Sequence, residues 1–197
     1  MRISILAWGS LVNKQRDLKF IPPFLPNGPN LKIEFSRKSD DGRLTLVIDE
    51  ANGTSCVCHC AESKCPTLDE ALLNLWQREG SGTGKPPKNM CSSGRVGYVD
   101  LNAKTHSIKA MKRHPKSVAV IEGWARAQRF DAVIWTALEP NFSGEHGAPF
   151  TVCHALNYLA GLTGKTRDCA FTYIRDAPET VKTPLREAFD KTHPKTI

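Results

Sequence analysis

Glu79 stands where a sequence seldom puts a charge. In TLDEALLNLWQREG, residues 67–80, a helical spacing of about 100° per residue lines Leu68, Ala71, Leu72, Leu75 and Trp76 along one face. Glu79 falls within about 20° of Leu68 on that same face. A carboxyl group drawn out of water resists ionisation, so it can take a proton from a substrate and later return it. The structural alternative is a carboxylate that escapes sideways at the helix end and pairs with Arg78 or Lys85. A second stretch, AWGSL over residues 7–11, ends an apolar run in a glycine-serine turn. Successive backbone N–H groups in such a turn can form an anion-binding concavity, and glycine lets a ligand approach the backbone closely. Trp8, Gly9, Ser10 and Leu11 are therefore candidate binding residues, with Glu79 as the candidate base.

Seven cysteines is an odd number, and four of them crowd into CVCHCAESKC. Thiolates bind zinc or copper(I), but the C-x-C-x-C spacing lacks the paired C-x₂-C of common zinc sites. Read as one strand, the segment aligns Cys56, Cys58 and Cys60 on one face and turns His59 to the other. That is ordinary packing of small, soft side chains. No metal is expected, and the cysteines should be free thiols. Among other carboxylates, Glu34 alternates away from Ile33 and Phe35, toward a cavity or water. Glu122 and Glu139, in apolar surroundings, are weaker candidates for the base. Arg37 and Arg43 flank a turn, a place for solvated cations, and His154 reads as a structural histidine on a helix. Trp135 and Tyr98 are candidate walls of the site. No Ser-His-Asp or Cys-His arrangement can be assembled from spacing alone.

The two candidate stretches together resemble the γ-glutamyl cyclotransferase-like proteins. That family closes its first strand with an aromatic residue followed by Gly-Ser, standing here as Trp8-Gly9-Ser10-Leu11. Its catalytic glutamate ends a helix in an L-D-x-x-E-G type sequence, matched here by Leu75-Trp76-Gln77-Arg78-Glu79-Gly80. The likeness covers residues 1–100 and is of general character beyond them. It departs at Trp8, where the family usually carries a tyrosine and its phenol, and at Trp76, which replaces aspartate. The resemblance implies a mixed sheet or barrel with a few packed helices. It also implies a cofactor-independent enzyme acting on a small-molecule γ-glutamyl substrate. An amine or amino acid would leave, 5-oxoproline would form, Glu79 would serve as general acid/base, and residues 8–11 would bind the substrate. The competing readings are a non-catalytic binder of small carboxylates on the same fold, and a Cys-rich metal-binding module.

Periodicity supplies the elements that must position these residues. Ile3 to Ala7 read as a buried strand entering a turn. The proline-rich IPPFLPNGPN reads as a loop. LKIEFSRKSDDGRLTLVID reads as a hairpin around a two-residue Asp41-Gly42 turn, and SCVCHCA as a further strand. The 67–79 helix opens with a Thr67/Glu70 capping box and closes on Gly80 in a left-handed cap. After a loop over 81–94 come a strand at RVGYVDL and a basic loop over 104–116. SVAVIEGWA suits a helix and FDAVIWTAL a buried strand. FTVCHALNYLAGLTG suits a helix capped by Gly164, and TPLREAFDK a helix with Thr183 before Pro184. The expectation is one α+β domain over residues 1–197, with a strand-rich first half enclosing the key helix.

Composition sets outer bounds. The chain has 197 residues, 40% hydrophobic and 24% charged, ordinary for a globular domain able to bury one core. No apolar run approaches the roughly 20 residues that span a bilayer, and MRISILAWGSL lacks the features of a signal peptide. A cytoplasmic location is the expectation. The net charge of +7 invites a nucleic-acid partner, yet KTHSIKAMKRHPK has no aromatic residue to stack on bases. Neither nucleic acid nor membrane is expected as a partner, and the sequence carries no signal for oligomeric state.

Overall fold

Ile3–Ala7 (β1) is buried at all five positions, so both faces of this strand need a cover. The computed structural model, which describes residues 1–80 and 94–194, shows how this is met. Six strands form a mixed sheet in the order β2-β6-β1-β9-β7-β8: Phe20–Leu25 (β2), His59–Ser63 (β6), β1, Ala132–Thr136 (β9), Val96–Asp100 (β7) and Thr105–His106 (β8). β1 runs antiparallel to β6 and parallel to β9, with Ile5 opposite both Ala61 and Ile134. A second sheet has Asn30–Lys38 (β3) between Leu44–Ile48 (β4) and Thr54–Val57 (β5).

Alternation along β1 sorts its side chains between two cores. Ile3, Ile5 and Ala7 join Ala132, Ile134 and the buried face of Leu68–Glu79 (α2). Leu6 joins Leu31, Ile33 and Phe35 of the second sheet, with Trp135 and the helix Pro115–Ala127 (α4). The remaining helices are Ser10–Asn13 (α1), Ile108–Arg113 (α3), Phe142–His146 (α5), Val152–Ala160 (α6), Gly164–Arg175 (α7) and Pro184–Thr192 (α8). The chain is thus α+β, with a mixed sheet and packed helices. Among the described residues no helix is long and apolar enough to cross a membrane.

Several expectations are corrected. IPPFLPNGPN is no loop throughout, because residues 20–25 form a sheet-edge strand whose register with β6 shifts between Ile21 and Leu25. Proline lacks the ladder N–H, and an edge strand with an irregular register tolerates that loss. SCVCHCA is two strands in two sheets, broken at Cys58, whose N–H donates to Pro29 O at 3.0 Å. The hairpin turn is longer than two residues. Gly42, at φ +82°, is reached by a Ser39–Gly42 turn closed at 2.8 Å, and Ser39 N–H donates to Arg43 O. A two-residue type I′ turn needs positive φ at both central residues, and Asp41 does not adopt it.

Helix ends also differ. Thr67 caps α2 by accepting from Glu70 N–H, but the Glu70 carboxylate takes the Thr67 hydroxyl at 3.0 Å. Gly80 is extended at φ −85°, ψ 159°, not left-handed. α6 stops at Gly161, and Gly164, at φ +53°, opens α7 instead of ending α6. The basic 104–116 segment is a short strand, a helix and the start of α4, and the loop over 81–93 lies outside the described residues.

α8 is seated by a carboxylate that faces neither cavity nor water. Glu34 is fully buried and accepts from Phe35 N–H at 2.7 Å and from Leu185 N–H, in the first turn of α8, at 3.4 Å. Thr183 adds a side-chain hydrogen bond and caps the helix by accepting from Arg186 N–H. Burial raises the Glu34 pKa, against those hydrogen bonds. The folded chain therefore holds the Glu34 proton more tightly than the unfolded chain does. Its contribution to stability is full below the unfolded value and is lost as pH rises through the raised one. Glu34→Ala, which orphans two buried amides, is expected to cost about 2–3 kcal/mol. In urea titrations this deficit should shrink from acid toward neutral pH.

Candidate functional site

The end of β1 and the end of α2 meet at one cavity of about 320 Å³. Trp8, Gly9, Ser10, Leu11 and Glu79, far apart in the chain, all border it. The place is set by β1, which delivers Trp8 to the edge of the core, 5% exposed, where its indole N–H donates to Leu46 O at 3.3 Å. Gly9 then starts α1, a single turn whose first amides have no acceptor inside so short a helix. A Cβ on Gly9 would stand 2.9 Å from the Tyr173 hydroxyl oxygen, so any larger residue here would force that phenol to shift.

Two polar side chains four residues apart on one helix face hold α2, one to this turn and one to the segment that follows it. Asn74 accepts from Lys19 N–H at 2.7 Å and donates to Asp17 O at 3.0 Å. Arg78 donates to Lys14 O at 2.7 Å and to Ser10 Oγ at 3.3 Å, and it is ion-paired with Glu79 Oε1. Both partners are well shielded, with side chains 8% and 13% exposed. Such a pair interacts more strongly than one on an open surface. Glu79 is therefore not the unpartnered carboxylate its place on the apolar stripe suggests. It carries the Arg78 partner, while its Oε2 has no hydrogen bond among the described residues. Lys85, the other expected partner, lies outside them. Arg95 donates to the Glu79 carbonyl at 3.0 Å, fixing the last turn.

The cavity wall is strongly cationic. Lys14, Arg16, Arg37, Arg43, Arg78 and Arg95 border it, against the carboxylates of Asp40 and Glu79. Arg37 and Arg43, expected as solvated turn residues, are thus part of the wall. The β3–β4 hairpin folds over the end of β1 and brings them there, a proximity no local pattern encodes. Burial lowers the Arg37 pKa, with Asp40 and Glu139 opposing that shift, and its guanidinium donates to Glu139 O at 3.0 Å. Arg43 pairs with Asp41 at 2.7 Å and lies over the Tyr173 ring at 5.2 Å.

Tyr173 itself escaped sequence reading. Ala170, Phe171 and Ile174 are the buried residues of α7, and nothing local shows that Tyr173, between them, faces the β1 turn. A phenol thus enters the site from α7, although position 8 carries an indole. A second cavity of about 210 Å³ shares Gly9, Ser10, Lys14, Arg43 and Tyr173, and extends to Asp168, Cys169 and Asp176.

Other candidates fall away from the site. Trp135 is fully buried and Tyr98 packs into the α2 core, so neither is a wall. Glu122 pairs with Arg126 at 2.5 Å and Glu139 with Arg113 at 2.8 Å. His154 Nδ1 lies 2.9 Å from Pro149 O. Cys56, Cys58 and Cys60 are buried free thiols, and burial raises the pKa of each. Cys65 belongs to the other core. Among the described residues no group of three His, Cys, Asp or Glu side chains could hold a metal ion.

Gly9→Ala should cost about 1–3 kcal/mol, as expected for overpacking against a fixed neighbour. Removing that neighbour's hydroxyl in Gly9→Ala/Tyr173→Phe should recover part of the loss, as read by thermal unfolding of both variants. Comparison of the chain with protein-family models, curated proteins and solved structures returned no match.

Proposed function

We propose that the chain is a γ-glutamyl cyclotransferase-like enzyme, in fold and in activity. The observation that carries this reading is the joining of Glu79 and residues 8–11 on the wall of one cation-lined cavity, with Arg78 bridging them. In the proposed reaction the substrate's own α-amine attacks its γ-carbonyl carbon. A C–N bond forms to close the five-membered ring, and the amide C–N bond then breaks. The attacking amine gives up a proton, and the departing nitrogen needs one. Glu79 serves both steps through Oε2, while Arg78 holds Oε1 in place. General acid–base catalysis of this kind contributes about 10²–10⁴-fold. The amides of residues 9–11 and the arginines around them suit the substrate carboxylate and the oxyanion that develops. Holding the γ-glutamyl chain folded supplies proximity. The chemistry calls for no cofactor.

A second reading draws on the same wall. Six cationic side chains beside a carboxylate already paired with arginine also suit a protein that holds small carboxylates without turning them over. Incubation with a panel of γ-glutamyl amides and mass-spectrometric detection of 5-oxoproline separates the two. Product from the wild type and a loss of about 10²-fold or more in Glu79→Gln, with the fold intact, is the expected result. Undiminished turnover in Glu79→Gln would sink the assignment of the base. Silence from the wild type, together with calorimetric binding of glutarate, would favour the binder.

A further inference from the structure

Among the described residues the Tyr173 hydroxyl proton has no acceptor. Leu46 N–H donates to its oxygen at 3.4 Å. A phenol is both donor and acceptor, and here only the acceptor capacity is taken up within the fold among the described residues. This one borders both cavities. Its ring is also fixed in direction. Phe35 meets it edge-on with centroids 6.1 Å apart, the Arg43 guanidinium covers it at 5.2 Å, and the oxygen lies 2.9 Å from where a Cβ on Gly9 would stand. A donor held this way needs little reorganisation when an acceptor arrives.

We propose that Tyr173 is a ligand-facing hydrogen-bond donor, giving its O–H to a ligand oxygen lodged beside Gly9. That this oxygen is the γ-carbonyl oxygen, gaining negative charge as the ring closes, rests on the function proposed above. The hydrogen bond itself does not. The phenol keeps its proton throughout and no covalent step involves it. The charged groups facing it are Glu79 and Arg78 from α2 and Arg43 beside β4. Burial raises its pKa, and the Glu79 charge acts the same way against the two guanidiniums, so it remains a donor through neutral pH.

Tyr173→Phe removes the donor and keeps the ring. With a γ-glutamyl amide that the wild type turns over, kcat should fall about 10²-fold while KM changes little, as for a donor used mainly in the transition state. Because the phenyl ring also orphans the Leu46 amide, a second variant separates donation from packing. A ring-fluorinated tyrosine at position 173, a stronger acid of nearly equal size, should move the alkaline limb of the kcat profile to lower pH. Turnover of Tyr173→Phe within about threefold of wild type, or a limb that stays in place, overturns the proposal. If the wild type forms no 5-oxoproline from any γ-glutamyl amide, the reaction fails and the donor is judged by calorimetry with L-glutamate and glutarate. A loss of affinity of about tenfold or more in Tyr173→Phe then upholds it. Equal affinity, or no binding by the wild type, overturns it.

Discussion

Burial of β1 on both faces is the constraint from which the rest of the structure follows. A strand with Ile3, Ile5 and Ala7 on one side and Leu6 on the other cannot sit on a surface, since each large apolar side chain left in water forgoes about 1.5–3 kcal/mol. It needs two covers. α2 supplies one, and the sheet built from β3, β4 and β5 supplies the other. Where β1 runs out, both covers end as well. The gap left between the last turn of α2, the β3–β4 hairpin and α7 is the cavity. The site is thus a by-product of how the central strand is sandwiched, and it lies where strand geometry gives way to the glycine-serine turn.

Two carboxylates show how surroundings divide roles among chemically equal groups. Glu34 is sealed and surrounded by donors from the backbone and a threonine, and its task is to seat α8. Glu79 is shielded but opens onto the cavity, with one oxygen held by a guanidinium. The first is a structural acceptor and the second has an oxygen to spare. The guanidinium matters for position as much as for charge. Arg78 reaches Ser10 and Lys14 as well as Glu79, so its planar fork ties the carboxylate to the glycine-serine turn across the cavity. Asn74, one helical turn away, makes a parallel tie to the segment before β2. Neither tie replaces apolar packing. Together they set the rotation of α2, on which the direction of Glu79 depends.

Much of this was legible from local pattern. The α2 span, its threonine cap, the strands β1 and β9, and the Thr183-Pro184 start of α8 rest on periodicity and capping, which act over a few residues. Glu79 and residues 8–11 could be singled out because each breaks a local rule, a charge on an apolar stripe and a glycine-serine turn after a buried strand. The errors are equally consistent. The prolines of β2 speak against a strand until an edge position makes their missing N–H groups harmless. C-x-C-x-C looks like one strand until Cys58 becomes the crossing point between two sheets. The arginines of the hairpin look solvated until the hairpin folds over the end of β1.

The sequence by itself therefore determined the strongly periodic and capped segments, β1, β9, α2 and α8, and which residues are chemically out of place, because those properties follow from spacing and side-chain type. Tertiary structure alone decided that Arg37, Arg43 and Tyr173 join Glu79 at one cavity. Those outcomes depend on which elements pack together. Packing is settled by the burial of whole faces, and no short window of sequence contains both partners.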